Sequence, residues 1–242
     1  MSITENLPNV SLESASQWVE GVLEVLRYAN REDFDGGVVC GEHLIESVVD
    51  TSAAGPMGHY ESPRWVRAVA GMLAVDWACY DDPVERMGFE RLAYMAHVFP
   101  RGFRLWWGRL QDTRVPVGYT AWHPISRESF LLLDRHANTL GDRSIVPLST
   151  ALPGRSFLYL VNFSIIAALR TTEASRAMLC SLSLDLQAVS PAGVAAVAVS
   201  EEGVRVVERF GLGVRGAIRI GAHEEKVFTW RAEPGRPSFG GR

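Results

Sequence analysis

Cysteine is scarce in this chain, with three in 242 residues: Cys40, Cys79 and Cys180. They are far apart, form no CxxC pair and follow no His/Cys spacing of the kind that holds a metal. The pattern argues against a disulfide framework, a redox pair or a metal site, and predicts reduced, buried thiols in a cytoplasmic protein. An excess of charge of one sign is also missing. Lys and Arg number 24 against 28 Asp and Glu, a net charge of −4. With no basic surplus, nucleic acid is not an expected partner. No apolar run reaches the roughly 18 residues of a membrane-spanning helix. The best attempt, "FSIIAAL", is short and has polar flanks. The opening "MSITENLPNV" lacks the basic-then-apolar order of an export leader. There is no internal repeat and no low-complexity tract.

What is present is apolar bulk, 47% of the residues, enough for one large domain or two small ones. The first hundred residues read as helical. "SLESASQWVEGVLEVLRYAN" opens on serines suited to capping and places Trp18, Val22, Val25, Leu26 and Ala29 on one face. "FDGGVVCGEHLIESVVD" fits helix or strand, and "TSAAGPMGHYESP" reads as a loop. Ser62–Pro63 and Asp82–Pro83 each look like a helix start, and Pro100 with Gly102 looks like a stop. From Phe103 the character changes. "FRLWWGRLQDTRVPVGYTAWHPI" predicts two strands around the turn "QDTRVP", with Trp106 facing one way and Trp107 the other, one inward and one outward. "SRESFLLLDR" fits a third strand or a short helix. "AGVAAVAVS" predicts a strand and "EEGVRVVERFGL" a helix with Ser200 as N-cap and Gly211 after its end. "GAIRIGAHEEKVFTWRA" predicts a closing pair of strands.

Between these lies "FLYLVNFSIIAALRTTEASRAMLCSLSLDLQ". It predicts a buried strand over Phe157–Leu169 and a helix from about Ala174, with only "RTTEA" between them. Short strand-to-helix junctions suit phosphate, because the first helical turn offers unpaired N–H groups and a positive dipole end. Such loops usually carry glycine. This one has none, so it is either a phosphate cradle without glycines or a turn capped by Thr172.

The order hairpin, long strand, helix, strand, helix, strand pair resembles the GNAT-fold acyltransferases over about residues 103–232. "VAVSEEGVRVVERFGLGVRGAIRIGAHEEKVFTWR" carries most of the likeness, with "ERFGL" in place of an FGF-like turn. "VPVGYTAWHPIS" is also similar to a segment of the toxin-activating lysine acyltransferases, GNAT-like proteins that take a fatty acyl group from acyl carrier protein. The resemblance implies an α+β fold, an α/β sandwich with a mixed central sheet flanked by helices. It implies a helical region over 1–102, an acyltransferase core over 103–232 and a flexible tail over 233–242.

The resemblance further implies an enzyme that moves an acyl group from a pantetheine thioester to a primary amine, such as a lysine or ornithine side chain of a peptide, or a small molecule. Acyl-CoA or acyl-phosphopantetheine would be a co-substrate, with no permanently bound cofactor and no metal. In such proteins a splayed central strand pairs with the pantetheine arm, and the loop after it, commonly Q/R-x-x-G-x-G/A, wraps the pyrophosphate. Carried over, the donor-binding residues are Phe163, Ser164, Ile165, Arg170, Thr171, Ser175 and Arg176. Glu173 and Ser175 stand where Gly, and Gly or Ala, are usual. A carboxylate repels a pyrophosphate and a Cβ blocks close backbone approach. That departure favours an acyl carrier protein, with its single phosphodiester, as donor and partner, and Arg155, Arg170 and Arg176 supply part of a basic patch for it. The catalytic candidates are His123 as general base, Asn162 in place of a family aspartate, and His97; His59 is a further histidine to consider. Phe210 stands near the place of a family tyrosine that protonates the leaving thiolate. The alternatives are an acetyl-CoA-dependent small-molecule acetyltransferase, a GNAT-fold binding or regulatory protein without catalysis, and an unrelated sandwich. A homodimer is compatible with the outer strands.

Overall fold

The computed structural model describes residues 12–34, 40–44, 63–83, 85–135, 145–220, 223–233 and 239. Among them run helices α1 (Leu12–Tyr28), α2 (Pro63–Cys79), α3 (Phe89–Val98), α4 (Arg127–Arg135), α5 (Glu173–Val189) and α6 (Glu201–Arg209). The strands are β1 (Cys40–His43), β2 (Phe103–Leu110), β3 (Thr113–Ile125), β4 (Phe157–Ile165), β5 (Gly193–Ala198), β6 (Gly213–Ile220) and β7 (His223–Arg231). They form one mixed sheet in the order β1-β2-β3-β4-β5-β7-β6. The α+β architecture and mixed sheet match the expectation. No described helix is long and apolar enough to cross a membrane.

Packing divides the chain into two compact units, Met1–Thr120 with Ser164–Leu179, and Ala121–Phe163 with Cys180–Arg242. β2 and the first part of β3 therefore group with the N-terminal helices. In the first unit, α1 buries Val19, Val22, Leu23 and Leu26, a 3.6-residue stripe, against α2. α2 starts at Pro63 as its sequence signal predicts; the preceding Ser62 lies outside the described residues, as does the predicted loop around His59. Asp82–Pro83 does not start a helix. It makes one turn, Glu85 N donating to Asp82 O at 3.1 Å. The Asp76 carboxylate then takes the Met87 N–H at 2.7 Å, and α3 begins only after Gly88. β1 pairs antiparallel with β2 from Cys40↔Trp107 to His43↔Arg104. The turn between β2 and β3 is shorter than predicted. It is Gln111–Asp112 alone, at φ 45° and 64°, the left-handed pair that a two-residue hairpin turn uses. Trp106 and Trp107 are both buried, not one in and one out. Both faces of β2 are covered, with Phe34 against the Gly108 side and Arg67 of α2 over Trp107.

In the second unit, "SRESFLLLDR" resolves as helix α4, capped by Ser126, whose Oγ accepts from Ser129 N at 3.0 Å. α4 lays Phe130 and Leu133 on a cluster with Ile125, Tyr159, Ala195, Ile218 and Val227. Thr229 Oγ1 donates to Asp134 Oδ1 at 2.5 Å, fixing α4 to β7. Gly193 is where the backbone must pass close. A Cβ there would stand 2.7 Å from Phe130 and 2.9 Å from Phe157, whose rings stack at 4.6 Å. α6 has the predicted caps, with Gly203 N donating to Ser200 Oγ at 3.1 Å and Gly211 at φ 81°. In the tail predicted to be flexible, Phe239 is buried, stacked on Phe210 at 5.8 Å and edge-on to Trp230 at 5.2 Å.

Candidate active site

β4 pairs in parallel with β5 through Phe157↔Gly193, Leu158↔Val194, Tyr159↔Ala195 and Leu160↔Ala196, and there the ladder ends. β4 runs on to Ile165 and β5 to Ala198. Exposure changes at the same point: Leu158, Tyr159 and Leu160 are buried, while Val161, Asn162 and Phe163 are half-buried. The pairing of β4 with β5 thus stops short of the ends of both strands. Tyr159 and Val161 belong to the cluster under α4. Strand alternation therefore turns Asn162 to the opposite face.

His123, on β3 in the same unit, has no solvent-exposed surface. Its Nδ1 lies 3.1 Å from the Pro124 carbonyl oxygen and its ring centroid 5.7 Å from that of Tyr159. A ring nitrogen facing a carbonyl carries the hydrogen, which leaves Nε2 with the lone pair. His97 belongs to the other unit, half-buried in the last turn of α3.

The end of β4 and the junction after it belong to the first unit. The strand stops at Ile165, earlier than predicted, and Ala167–Leu169 form a 3₁₀ turn. The Ile165 carbonyl accepts from Cys79 Sγ at 3.3 Å and Arg170 Nε at 3.4 Å. Thr171 has φ 63°, left-handed for a β-branched residue. Thr172 is the cap. Its Oγ1 accepts from Ala174 N at 3.2 Å and donates to the Leu169 carbonyl at 2.7 Å. Ser175 Oγ donates to the Thr172 carbonyl at 2.8 Å, and Arg176 pairs with Glu173, both exposed. The junction closes on its own side chains, so the capped-turn reading describes its geometry. Arg170 comes together here with Ile165, and Ser175 with Thr172, while Arg176 points outward.

Beside the end of β4 stands a buried polar group that sequence reasoning missed. Asp76, 1% exposed, accepts Tyr119 Oη at 2.7 Å on one oxygen and Met87 N at 2.7 Å on the other. Burial and the Asp76 charge hold the Tyr119 phenol protonated, far above its usual range. Burial pushes the Cys79 thiol up to about 12, against the pull of Arg170, and also raises Tyr80. The Ser164 hydroxyl lies near enough to both groups to oppose the rise, and its Oγ is buried without a hydrogen-bond partner among the described residues. At neutral pH these groups stay protonated, and Tyr119 and Cys79 spend their hydrogens inside the protein, on Asp76 and on the Ile165 carbonyl, so the cluster is a buried network and not a set of nucleophiles. One signal could have found it, a lone carboxylate in the apolar helix run "AGMLAVDWACY".

No protein-family model matches the chain, and no curated protein matches it. Among solved structures, the loading GNATL domain of CurA from Lyngbya majuscula superposes with a TM-score of 0.51 at 12% identity, over 80% of this chain and 98% of that one. The chain has the GNAT fold. The GphF GNAT-like decarboxylase in complex with isobutyryl-CoA matches with a TM-score of 0.46 at 14% identity, over 74% and 96% of the two chains. An N-acetyltransferase from Staphylococcus aureus matches with a TM-score of 0.44 at 9% identity, over 80% and 98%. On this GNAT fold, β4 is the central strand and "RTTEAS" the loop that the resemblance assigns to the donor. The loop here is closed by Thr172.

Proposed function

We propose that the chain is an N-acyltransferase that carries an acyl group from a pantetheine thioester to a primary amine. The supporting observation is the parting of β4 from β5 beyond Leu160↔Ala196, which frees β4 backbone for an arm lying alongside it as an extra strand. In this reading the backbone N–H of Phe163 receives the thioester oxygen as it gains charge. The amine nitrogen bonds to the carbonyl carbon, its proton passes to His123 Nε2, and the C–S bond breaks to release the pantetheine thiolate, which takes up a proton. The self-capped Thr172 junction, with Glu173 at its mouth, favours a carrier-protein phosphodiester over a wrapped CoA pyrophosphate.

The same closed junction also favours a second reading, a GNAT-fold binding protein with no turnover. A thermal-shift panel of acetyl-CoA, long-chain acyl-CoA and acyl-loaded carrier protein separates the two, since a ligand selective for the folded state raises Tm. Stabilisation by the carrier or the long-chain donor supports the proposal. Stabilisation by acetyl-CoA alone moves the donor to CoA, and silence across the panel leaves the second reading.

A further inference from the structure

A second site lies in the first unit and is independent of the acyl-transfer reading. The β1–β2 register places Glu42 opposite Leu105 and Cys40 opposite Trp107, so these four side chains share one face of the sheet. α2 lies on that face, since a Cβ on Gly71 would stand 2.9 Å from Leu105. Arg67, one helical turn before Gly71, reaches over the Trp107 ring at 5.7 Å, and Arg114 of β3 reaches the same ring at 4.7 Å. Glu42 pairs with Arg114. Two guanidinium groups thus share one indole, while the carboxylate pairs with only one of them, Arg114.

The charge does not balance. Burial lowers the Arg67 pKa first and the Arg114 charge lowers it further, with Glu42 opposing only in part. Arg67 Nε is buried with no hydrogen-bond partner among the described residues. So is Trp107 Nε1, on a side chain only 6% exposed. A partly desolvated cation is costly unless an anion meets it, and stacking on an indole supplies no hydrogen-bond acceptor. Among the described residues, what the site lacks is a second set of anionic oxygens. The planar arginine fork matches carboxylate and phosphate geometry. Arg114 and Glu42 keep 48% and 43% of their side-chain surface exposed, so the face is open to solvent on that side.

We propose that Arg67, Arg114 and Trp107 form a binding site for an oxyanion, a carboxylate or phosphate group of a ligand. Melting temperature is measured in sodium chloride at fixed ionic strength, with inorganic phosphate or acetate titrated in and sodium fluoride as a control for general salting effects. A saturable rise of roughly 3–5 °C at about ten times the dissociation constant is expected with phosphate or acetate, and the anion that saturates at lower concentration names the source. Arg67→Gln is expected to melt in chloride no lower than the parent and to lose the saturable rise. Glu42→Gln is expected to melt lower in chloride and to be rescued by the same anion. Should Arg67→Gln fail to fold, Arg67→Lys serves in its place, because it keeps the charge, loses the fork and should weaken binding several-fold. No saturable rise in the parent, or equal rises in parent and variant, overturns the site.

Discussion

The Cys79 thiol donates to the Ile165 carbonyl across 3.3 Å, tying the end of α2 to the last residue of β4. Its raised pKa, about 12, follows mainly from burial. Cys40 and Cys180 are exposed. With iodoacetamide at pH 8, mass spectrometry of the native protein should show two fast adducts, on Cys40 and Cys180, and a third only in denaturant. Rapid labelling of Cys79 in the native state would contradict its placement.

The same burial makes stability fall in alkali. Cys79, Tyr80 and Tyr119 all have folded-state pKa values above their unfolded ones. Above about pH 8.5 the unfolded chain begins to release protons that the folded chain retains, so the unfolded state gains and stability drops as pH rises. For Cys79 the loss runs from about pH 8.5 to about 12, at most about 1.4 kcal/mol per pH unit. Urea midpoints at pH 8 and pH 10 check this. Cys79→Ser should flatten the decline, and an unchanged decline would assign it to the tyrosines alone.

Thr171 and Thr172 adjoin but should respond in opposite directions. Thr172→Ala removes the hydroxyl that accepts Ala174 N and should cost about 1 kcal/mol. Thr171→Gly relieves a β-branched residue at φ 63° and should gain about 1 kcal/mol, less the added freedom of the unfolded chain. Urea denaturation of both variants measures the pair. A gain from Thr172→Ala would mean that the cap does not form.

His123→Ala should lower turnover by roughly 10² to 10⁴-fold if the buried imidazole takes the amine proton. Because the ring is fully enclosed, the variant also loses packing, so its near-UV circular dichroism and Tm must accompany the rate. A folded variant with full turnover removes His123 from the mechanism.

Much of the fold was legible because local signals are dense where it matters. Ser200 and Gly211 bracket α6, Pro63 opens α2, and the β-branched and aromatic run from Phe103 declares β2 and β3. Asp82–Pro83 misled because a tertiary hydrogen bond, Met87 N to Asp76, held the chain away from a helix that the local signal favoured. The pattern predicts β4 four residues too long because "IIAAL" continues its hydrophobicity, while the 3₁₀ turn that ends it leaves no mark in composition. Asp76, Cys79 and Tyr80 were missed for the converse reason. A buried polar cluster is a property of spatial convergence, and Ser164 stands more than eighty residues from them in sequence.

Phe239, the fourth residue from the C-terminus, is wedged between Phe210 and Trp230. Removing that ring would pull a stopper from its seat and open two aromatic surfaces to water. Phe239→Ala should leave a species that clumps more readily than the parent.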